Sequence, residues 1–535
     1  MKKALSIILL AVAGYGISQA QSAIDAYNVS QGDLRGTARF MSMAGAFGAL
    51  GGDLSTLTQN PAGIGVYRTS DIGVTVDFDF LSGSTQNGYN FNQTKVACNN
   101  FGYVGALNLS GDVLRNFNWG ATYSRKTSFE RAFGGQFDAL QTSLTNVIAP
   151  WVYGFKPNDL NIYGNYNPFY GIPGVGNPDW LGVLAYNSGM INPLSANSST
   201  YQGLYQNGRT SGFAEYEVIE KGHIDEYSIN FGGNIADILY WGIGFGITDL
   251  KYQAEYYYGE GLYDAAIRDI EGDGLENGTA SYGLTNYKEI SGSGFNMKFG
   301  LIVKPINEFR LGLAIHTPTW YTLNYGAQAA TDYGYSSGFA GYYNDGYEET
   351  DWDSFSYRMR SPWRMIISAA GVIGGRFIIS ADYERDAYDT MSFSSSGWEY
   401  YNYSDENSDI KNTFQASNTV RLGAEFRVTP KFSVRAGYSW TGNNVKSNAL
   451  NGNQYVYTSG MNRAYVFNKT TQYITFGLGY RFGQFYLDAA YAYRNRQAQY
   501  TAFSVPDWME DDVDPLTAKV KQYDNNLVLT LGYKF

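Results

Sequence analysis

Strict two-residue alternation near the C-terminus, an aromatic- and glycine-rich composition and an exported start predict an all-β fold, a transmembrane antiparallel β-barrel of about 14 strands. In NLVLTLGYKF, Leu527, Leu529, Leu531, Tyr533 and Phe535 share one face, and Asn526, Val528, Thr530, Gly532 and Lys534 share the other. The composition fits: 48 Tyr, 31 Phe, 10 Trp and 63 Gly accompany only 16% charged residues. A barrel alternates a lipid face with a polar lumen, which explains how such a chain keeps a mean hydropathy of −0.31.

At the start, Lys2 and Lys3 precede an apolar run over 4–14, and Ser18-Gln19-Ala20 supplies small residues at a cleavage site. Residues 1–20 therefore read as a signal peptide, with the mature chain beginning at Gln21. The run is too short to cross a bilayer core of about 30 Å. The single cysteine, Cys98, excludes an intramolecular disulfide and a Cys-rich zinc site. The net charge of −11, without clustered Lys and Arg, speaks against nucleic acid as a partner.

Residues 21–70 are too many for a tail and too poor in charge for disorder. GTARFMSMAGAFGALGGD can coil into short helices, and Asn60-Pro61-Ala62-Gly63 then turns the chain stiffly toward a first strand near Asp71. A barrel of this size has a lumen wider than side chains alone fill. The segment is therefore expected inside it, as a hatch.

From residue 71 to 535 the alternation recurs. Phe432, Val434, Ala436, Tyr438 and Trp440 oppose Ser433, Arg435, Gly437 and Ser439; Ile474 to Phe482 and Phe485 to Tyr493 behave alike. A Gly/Ser/Arg face suits a crowded lumen better than a sandwich exterior. Short connections (110–116, 234–240, 304–308, 371–375, 428–431 and 481–484) alternate with long Tyr/Asn/Gly-rich ones, the longest expected over 130–222. That pattern puts the long loops outside the cell and both termini in the periplasm.

The run GDLSTLTQNPAG, the small-residue segment before it, LGLAIHTPTWY (311–321), the strand count and the terminal Phe535 together make the chain resemble the outer-membrane transporters of long-chain fatty acids and aromatic hydrocarbons, in their Bacteroidetes-type versions. The resemblance spans the mature chain, but only the Asn-Pro-Ala run and its surroundings are motif-like. It implies a Gram-negative outer membrane location, a hatch that includes Asn60, Pro61, Ala62 and Gly63, and passive uptake of hydrophobic molecules such as fatty acids. Capture in extracellular loops would precede release past the hatch and sideways through the wall, with Gly102 and Gly105 as candidates for an irregular strand. Expected partners are the ligand, outer-membrane lipids and lipopolysaccharide, and an assembly machinery that recognises Phe535.

By alternation Arg310, His316, Arg421 and Arg435 face the lumen, as candidate contacts for a carboxylate headgroup or as partners of acids such as Asp382, Glu425 and Asp488. No cofactor and no enzyme chemistry is expected: the chain has only His223 and His316, and neither accompanies a nucleophile-elbow serine. A haem or haemin receptor, and a general porin, are the alternatives. Asp269, Glu271 and Asp273 have oxygen spacing like a calcium loop but lack its twelfth-position Glu, so a metal site there is a weak candidate.

Overall fold

The computed structural model describes residues 21–85, 88–111, 113–268, 275–337, 343–396, 401–458, 460–505 and 516–535. Residues 1–20, expected to be a leader, and the weak metal candidates Asp269, Glu271 and Asp273 lie outside the described residues.

Among these residues, fourteen antiparallel strands close on themselves. They are β1 (Asp71–Thr85), β2 (Phe91–Asn108), β3 (Leu114–Ser128, continued by Arg131–Phe137), β4 (Ser211–Ile235), β5 (Leu239–Arg268), β6 (Leu275–Ile306) and β7 (Phe309–His316, continued by Trp320–Ser337). The round is completed by β8 (Asp353–Arg360, continued by Trp363–Ile373), β9 (Phe377–Ala387), β10 (Ser417–Arg427), β11 (Phe432–Thr441), β12 (Tyr465–Phe482), β13 (Phe485–Thr501) and β14 (Thr517–Lys534). β14 pairs back onto β1, from Lys534 opposite Asp71 to Val520 opposite Thr85.

The interruptions of β7 and β8 have one cause. Pro318 and Pro362 cannot donate to the ladder, so both strands break at the same level. Ser361 repairs the gap: its N–H donates to Thr319 O (3.1 Å), and its Oγ accepts from Thr319 N (2.8 Å).

Outward-facing residues form an apolar band that includes Ile72, Leu313, Ile367, Leu478 and Leu529, all exposed in the isolated chain. Aromatic side chains rim it at the short-turn end, where Phe482 and Phe485 stack at 5.7 Å. This is the surface of a barrel set in a bilayer. Among the described residues no helix is long and apolar enough to cross a membrane.

Six connections at one end are short, and the first and last strands meet beside them: Ser70 N donates to Phe535 O at 3.0 Å. At the opposite end β4 to β6 reach 25 to 32 residues, far beyond the band. The expected loop over 130–222 is shorter than its sequence suggested. Arg131–Phe137 and the part of β4 from Ser211 onward pair as strand, because FAEYEVIE alternates, and residues 138–210 remain as the connection. That connection carries the helix Trp180–Asn187 and a small hairpin of Ile191–Pro193 with Tyr201–Gly203, and packs over the lumen through Leu160, Leu181, Leu184 and Leu204.

Candidate functional site

Residues 21–67 lie within the ring of strands and are almost entirely buried. Their base comprises α-helical turns Ala38–Ser42 and Thr56–Gln59 and the 3₁₀ turn Pro61–Val66. Asn60 caps the 3₁₀ turn, its Oδ1 accepting from Ala62 N at 3.1 Å, while its Nδ2 donates to Gly48 O at 2.6 Å. Pro61 supplies the fixed φ that suits the first position of such a turn.

The lumenal glycines of the wall have a definite job here. A Cβ on Gly300 would stand 2.0 Å from Asn60 Oδ1, one on Gly242 2.2 Å from Pro61 O, and one on Gly312 2.4 Å from Gly48 O. The wall is bare where the plug's backbone presses on it. Around these seats the wall donates to plug carbonyls: Arg310 to Leu50 O (2.8 Å), and Asn118 to Ile64 O (2.8 Å). His316 Nε2 shares a hydrogen bond with Gln59 O (2.7 Å), and Asp382 accepts from Gly48 N (2.9 Å).

Above the base, residues 31–35 form a strap held by ion pairs. Arg35 reaches Asp77 and Asp79 of β1, both at 2.8 Å, and Asn99 Oδ1 of β2 at 3.3 Å. Asp33 accepts from Arg494 (2.6 Å) and Arg496 (2.5 Å) of β13 and from Ser128 N of β3 (3.2 Å). Gln31 O accepts from Thr127 Oγ1 at 2.8 Å. Burial alone pushes the Asp33 carboxyl up, but Arg494, Arg496 and Arg35 outweigh it and hold the group well below the usual carboxylate range.

The wall itself is split where the strap attaches. Between β1 and β2 the register slips so that Thr75 faces Asn100 and Val76 faces Cys98, leaving Asn99 as a bulge turned inward. Below that point β2 pairs with β3 from Asn100 to Asn108. Above it, 91–98 of β2 pair with β1 alone, whereas Arg131–Phe137 of β3 bends behind β1 and pairs with β4. A cavity of about 220 Å³ lies in this seam, between residues such as Phe91, Gln93, Glu130 and Ala132. It is bridged by Lys95 to Glu130 and by Thr85 Oγ1 to Gly134 O (2.6 Å). Gly102 and Gly105, expected as the irregular positions, stand in regular ladder opposite Thr122 and Trp119. The break is at Asn99, whose amide gains two polar partners by leaving the ladder.

At the top of the segment the helix Ala23–Asn28 enters an apolar, aromatic layer beneath the 138–210 connection, which caps the lumen. Tyr27 stacks on Phe414 (5.1 Å) and meets Phe467 edge-on (5.5 Å). Lys288 donates to Asp25 at 2.5 Å, and Asn28 to Tyr252 OH at 3.4 Å. Below the helix a lumenal cavity of about 210 Å³ runs between strap and wall, lined by charged groups that include Arg125, Lys298, Arg364 and Glu384.

The sequence-predicted residues are distributed over this plan. Asn60, Pro61, Ala62 and Gly63 belong to the base, as the cap and first residues of its 3₁₀ turn. Arg310 and His316 bind plug carbonyls, and Arg421 pairs with Glu384 at 3.0 Å. Arg435 bridges Glu425 (2.7 Å) and Asp488 (2.6 Å), while Glu425 also accepts from plug residue Arg39. His223 stands apart, 3.6 Å from Asp225. Among the described residues no cluster of three or more His, Cys, Asp or Glu could hold a metal ion. The strap and the seam were missed, although the DLR triplet in a charge-poor stretch and the paired Asn99-Asn100 were visible signals.

No family model matches the sequence, and no curated protein matches it. Among solved structures, similar chain paths occur in the Pseudomonas putida toluene transporter TodX (13% identity, TM-score 0.45, 94% of this chain and 99% of that one). Others are a Pseudomonas aeruginosa FadL homologue (13%, 0.47, 94% and 98%) and the Ralstonia pickettii toluene transporter TbuX (14%, 0.44, 95% and 100%). At these identities and scores the likeness decides neither ligand nor mechanism. From its own strands, the chain is a closed transmembrane β-barrel of fourteen strands whose N-terminal segment occupies the lumen.

Proposed function

We propose that this barrel is a passive outer-membrane channel for hydrophobic molecules such as long-chain fatty acids, with the long connections and the cap at the cell exterior and the short connections and Phe535 in the periplasm; Gln21, expected in the periplasm, is instead buried in the lumen toward the cap. The observation that carries the reading is the strap. Residues 31–35 bind both lips of the wall seam, Asn99 of β2 through Arg35 and Thr127 and Ser128 of β3 through Gln31 and Asp33. Displacing the N-terminal helix would slacken both attachments together.

In this mechanism an apolar ligand enters beneath the cap and competes with Tyr27 for the aromatic layer. Burial is worth about 0.8 kcal/mol per methylene, so a long acyl chain can displace one short helix without other energy input. The seam then offers an exit sideways into the bilayer, which spares the ligand the charged chamber and the tightly seated base. A general porin would need a continuous wet path, and the glycine-seated base speaks against one. Haem would need axial ligation, and of the two histidines His316 is already engaged with Gln59 O.

The test bridges the seam. In a Cys98→Ser background, Lys95→Cys and Glu130→Cys are joined by a cleavable bismaleimide, and uptake of radiolabelled oleate is measured in cells carrying the barrel. Oleate uptake should fall about tenfold on bridging and return on cleavage. Uptake unaffected by the bridge removes the lateral exit, and a protein that admits small hydrophilic sugars as readily as oleate removes the hydrophobic channel.

A further inference from the structure

Asp25, in the buried helix Ala23–Asn28, is held from two sides. Its Oδ2 accepts from Ser22 N at 3.0 Å within a capping box, and its Oδ1 accepts from Lys288 Nζ at 2.5 Å. Lys288 lies on the lumenal face of β6, seven positions beyond Phe295 toward the long connections. Phe295 and Trp320 stack on the outer face at 6.4 Å, an aromatic pair of the kind that marks a membrane interface. The ion pair is therefore on the long-connection side of the bilayer, under the cap, with the side chains of Lys288 and Asp25 only 9% and 3% exposed.

Among the described residues Asp25 is the only carboxylate that pairs with this lysine. Glu220, the buried acid of the neighbouring β4, is fully used: it accepts from Tyr252 OH (2.9 Å), Tyr256 OH (2.8 Å) and Arg131 Nε (2.6 Å). Tyr252 offers Lys288 its ring, 5.9 Å from Nζ to the ring centre. A second donor is spare. Tyr357 OH is fully buried without a partner among the described residues, and the Asp25 charge reaches it, adding to burial in pushing the phenol well up. A buried ammonium stripped of its anion is costly. Whatever displaces the helix must therefore satisfy Lys288 as well as the aromatic layer around Tyr27. A hydrocarbon meets only the second demand, and an amphiphile with a carboxylate meets both.

We infer that Lys288 is the headgroup receptor of this channel, selecting ligands that carry a carboxylate, and that Asp25 occupies its place as a built-in surrogate until such a ligand arrives. The exchange conserves charge, since one carboxylate leaves the buried ammonium as another takes it. The contest is then decided by the apolar chain against Tyr27 and its neighbours. Asp25 meets β6 while Tyr27, two residues on, meets Phe414 and Phe467. An acid seated with its headgroup at Lys288 can extend its chain along the contacts that Tyr27 gives up. The other lumenal cations are not freed in this way: Arg310 stays on the base through Leu50 O, and Arg421 and Arg435 stay on wall carboxylates.

This selectivity rests on the hydrophobic channel proposed above and deepens it. The experiment is equilibrium dialysis of the whole barrel in detergent against radiolabelled oleate and, separately, oleyl alcohol, which has the same chain without the charge. The unaltered barrel should hold oleate about tenfold more tightly than oleyl alcohol, the margin of one charge-assisted hydrogen bond. Asp25→Asn removes the surrogate's charge and should tighten oleate binding about tenfold, with a much smaller effect on oleyl alcohol. Asp25→Asn combined with Lys288→Met leaves no unpaired charge buried and should bring the two ligands level. Equal binding of both by the unaltered barrel, a double variant that still prefers oleate, or unchanged oleate affinity in Asp25→Asn would each overturn the headgroup site, while firm binding of oleyl alcohol would leave the hydrophobic channel standing. A barrel that binds neither ligand would overturn both.

Discussion

The lower and upper halves of the buried N-terminal segment are held by different physics. Below, residues 36–67 sit against wall glycines with backbone touching backbone, so small displacements meet hard contacts at once. Above, residues 23–35 depend on an aromatic layer and a few ion pairs, which another apolar surface can replace or a changed charge can release. On the proposed mechanism, the difference locates where such a segment would give way: at the top, with its base still seated.

The sharpest way to break this comparison is Arg35→Met. It leaves Asp77 and Asp79 buried without their cation, a change that costs about 3–5 kcal/mol for a buried pair. Amide hydrogen exchange should rise in 23–35 and in 91–99 together, with 36–67 unchanged. A uniform rise across 21–67 would mean the two halves move as one body and that the strap has no separate role.

Gly242→Val tests the base. Its Cβ would fall 2.2 Å from Pro61 O, a backbone atom that cannot rotate away, and overpacking of this kind costs about 1–3 kcal/mol. The melting transition should drop and ion conductance through planar bilayers should become steady, because the turn at Asn60 is lifted from its seat. Unaltered conductance would show that the base does not seal the lumen.

Much of this was legible beforehand, for identifiable reasons. Alternation set the inward positions of Arg310, His316, Arg421 and Arg435, since a closed barrel leaves a strand residue only two directions. Asn60-Pro61 announced a stiff corner because proline restricts both residues. What alternation cannot convey is which lumenal partner a side chain finds: the chemistry of Arg310 depends on Leu50, 260 residues away. Nor can it foresee a bulge, where one added residue at Asn99 inverts the period and frees a strand edge. Gly102 and Gly105 attracted attention for lacking a side chain, whereas the ladder broke where an asparagine had polar partners waiting.

Smaller effects sharpen the comparison further. Tyr27→Phe keeps the stack on Phe414 and removes only the hydroxyl that accepts from Asn468 N at 2.7 Å, a loss of about 0.5–1.5 kcal/mol. Oleate uptake should quicken slightly, since the helix yields more easily, and exchange at 23–28 should rise without change at 91–99. A slower uptake would indicate that Tyr27 contacts the ligand instead of guarding its place.

The smallest expected effect is that of moderate pH. Asp33 has its folded-state pKa depressed by Arg494, Arg496 and Arg35, so its contribution is present above the unfolded value of about 3.9 and is lost only as pH falls through the lower folded value. Strap exchange, corrected for intrinsic rates, should therefore be flat from about pH 8 to 5, and channel conductance likewise. A transition near the ordinary carboxylate range would mean that Asp33 does not feel those guanidinium groups. The ion-paired hold on the strap would then rest on Arg35 and the two β1 aspartates, and on the β3 lip the Thr127 bond to Gln31 O would carry the attachment.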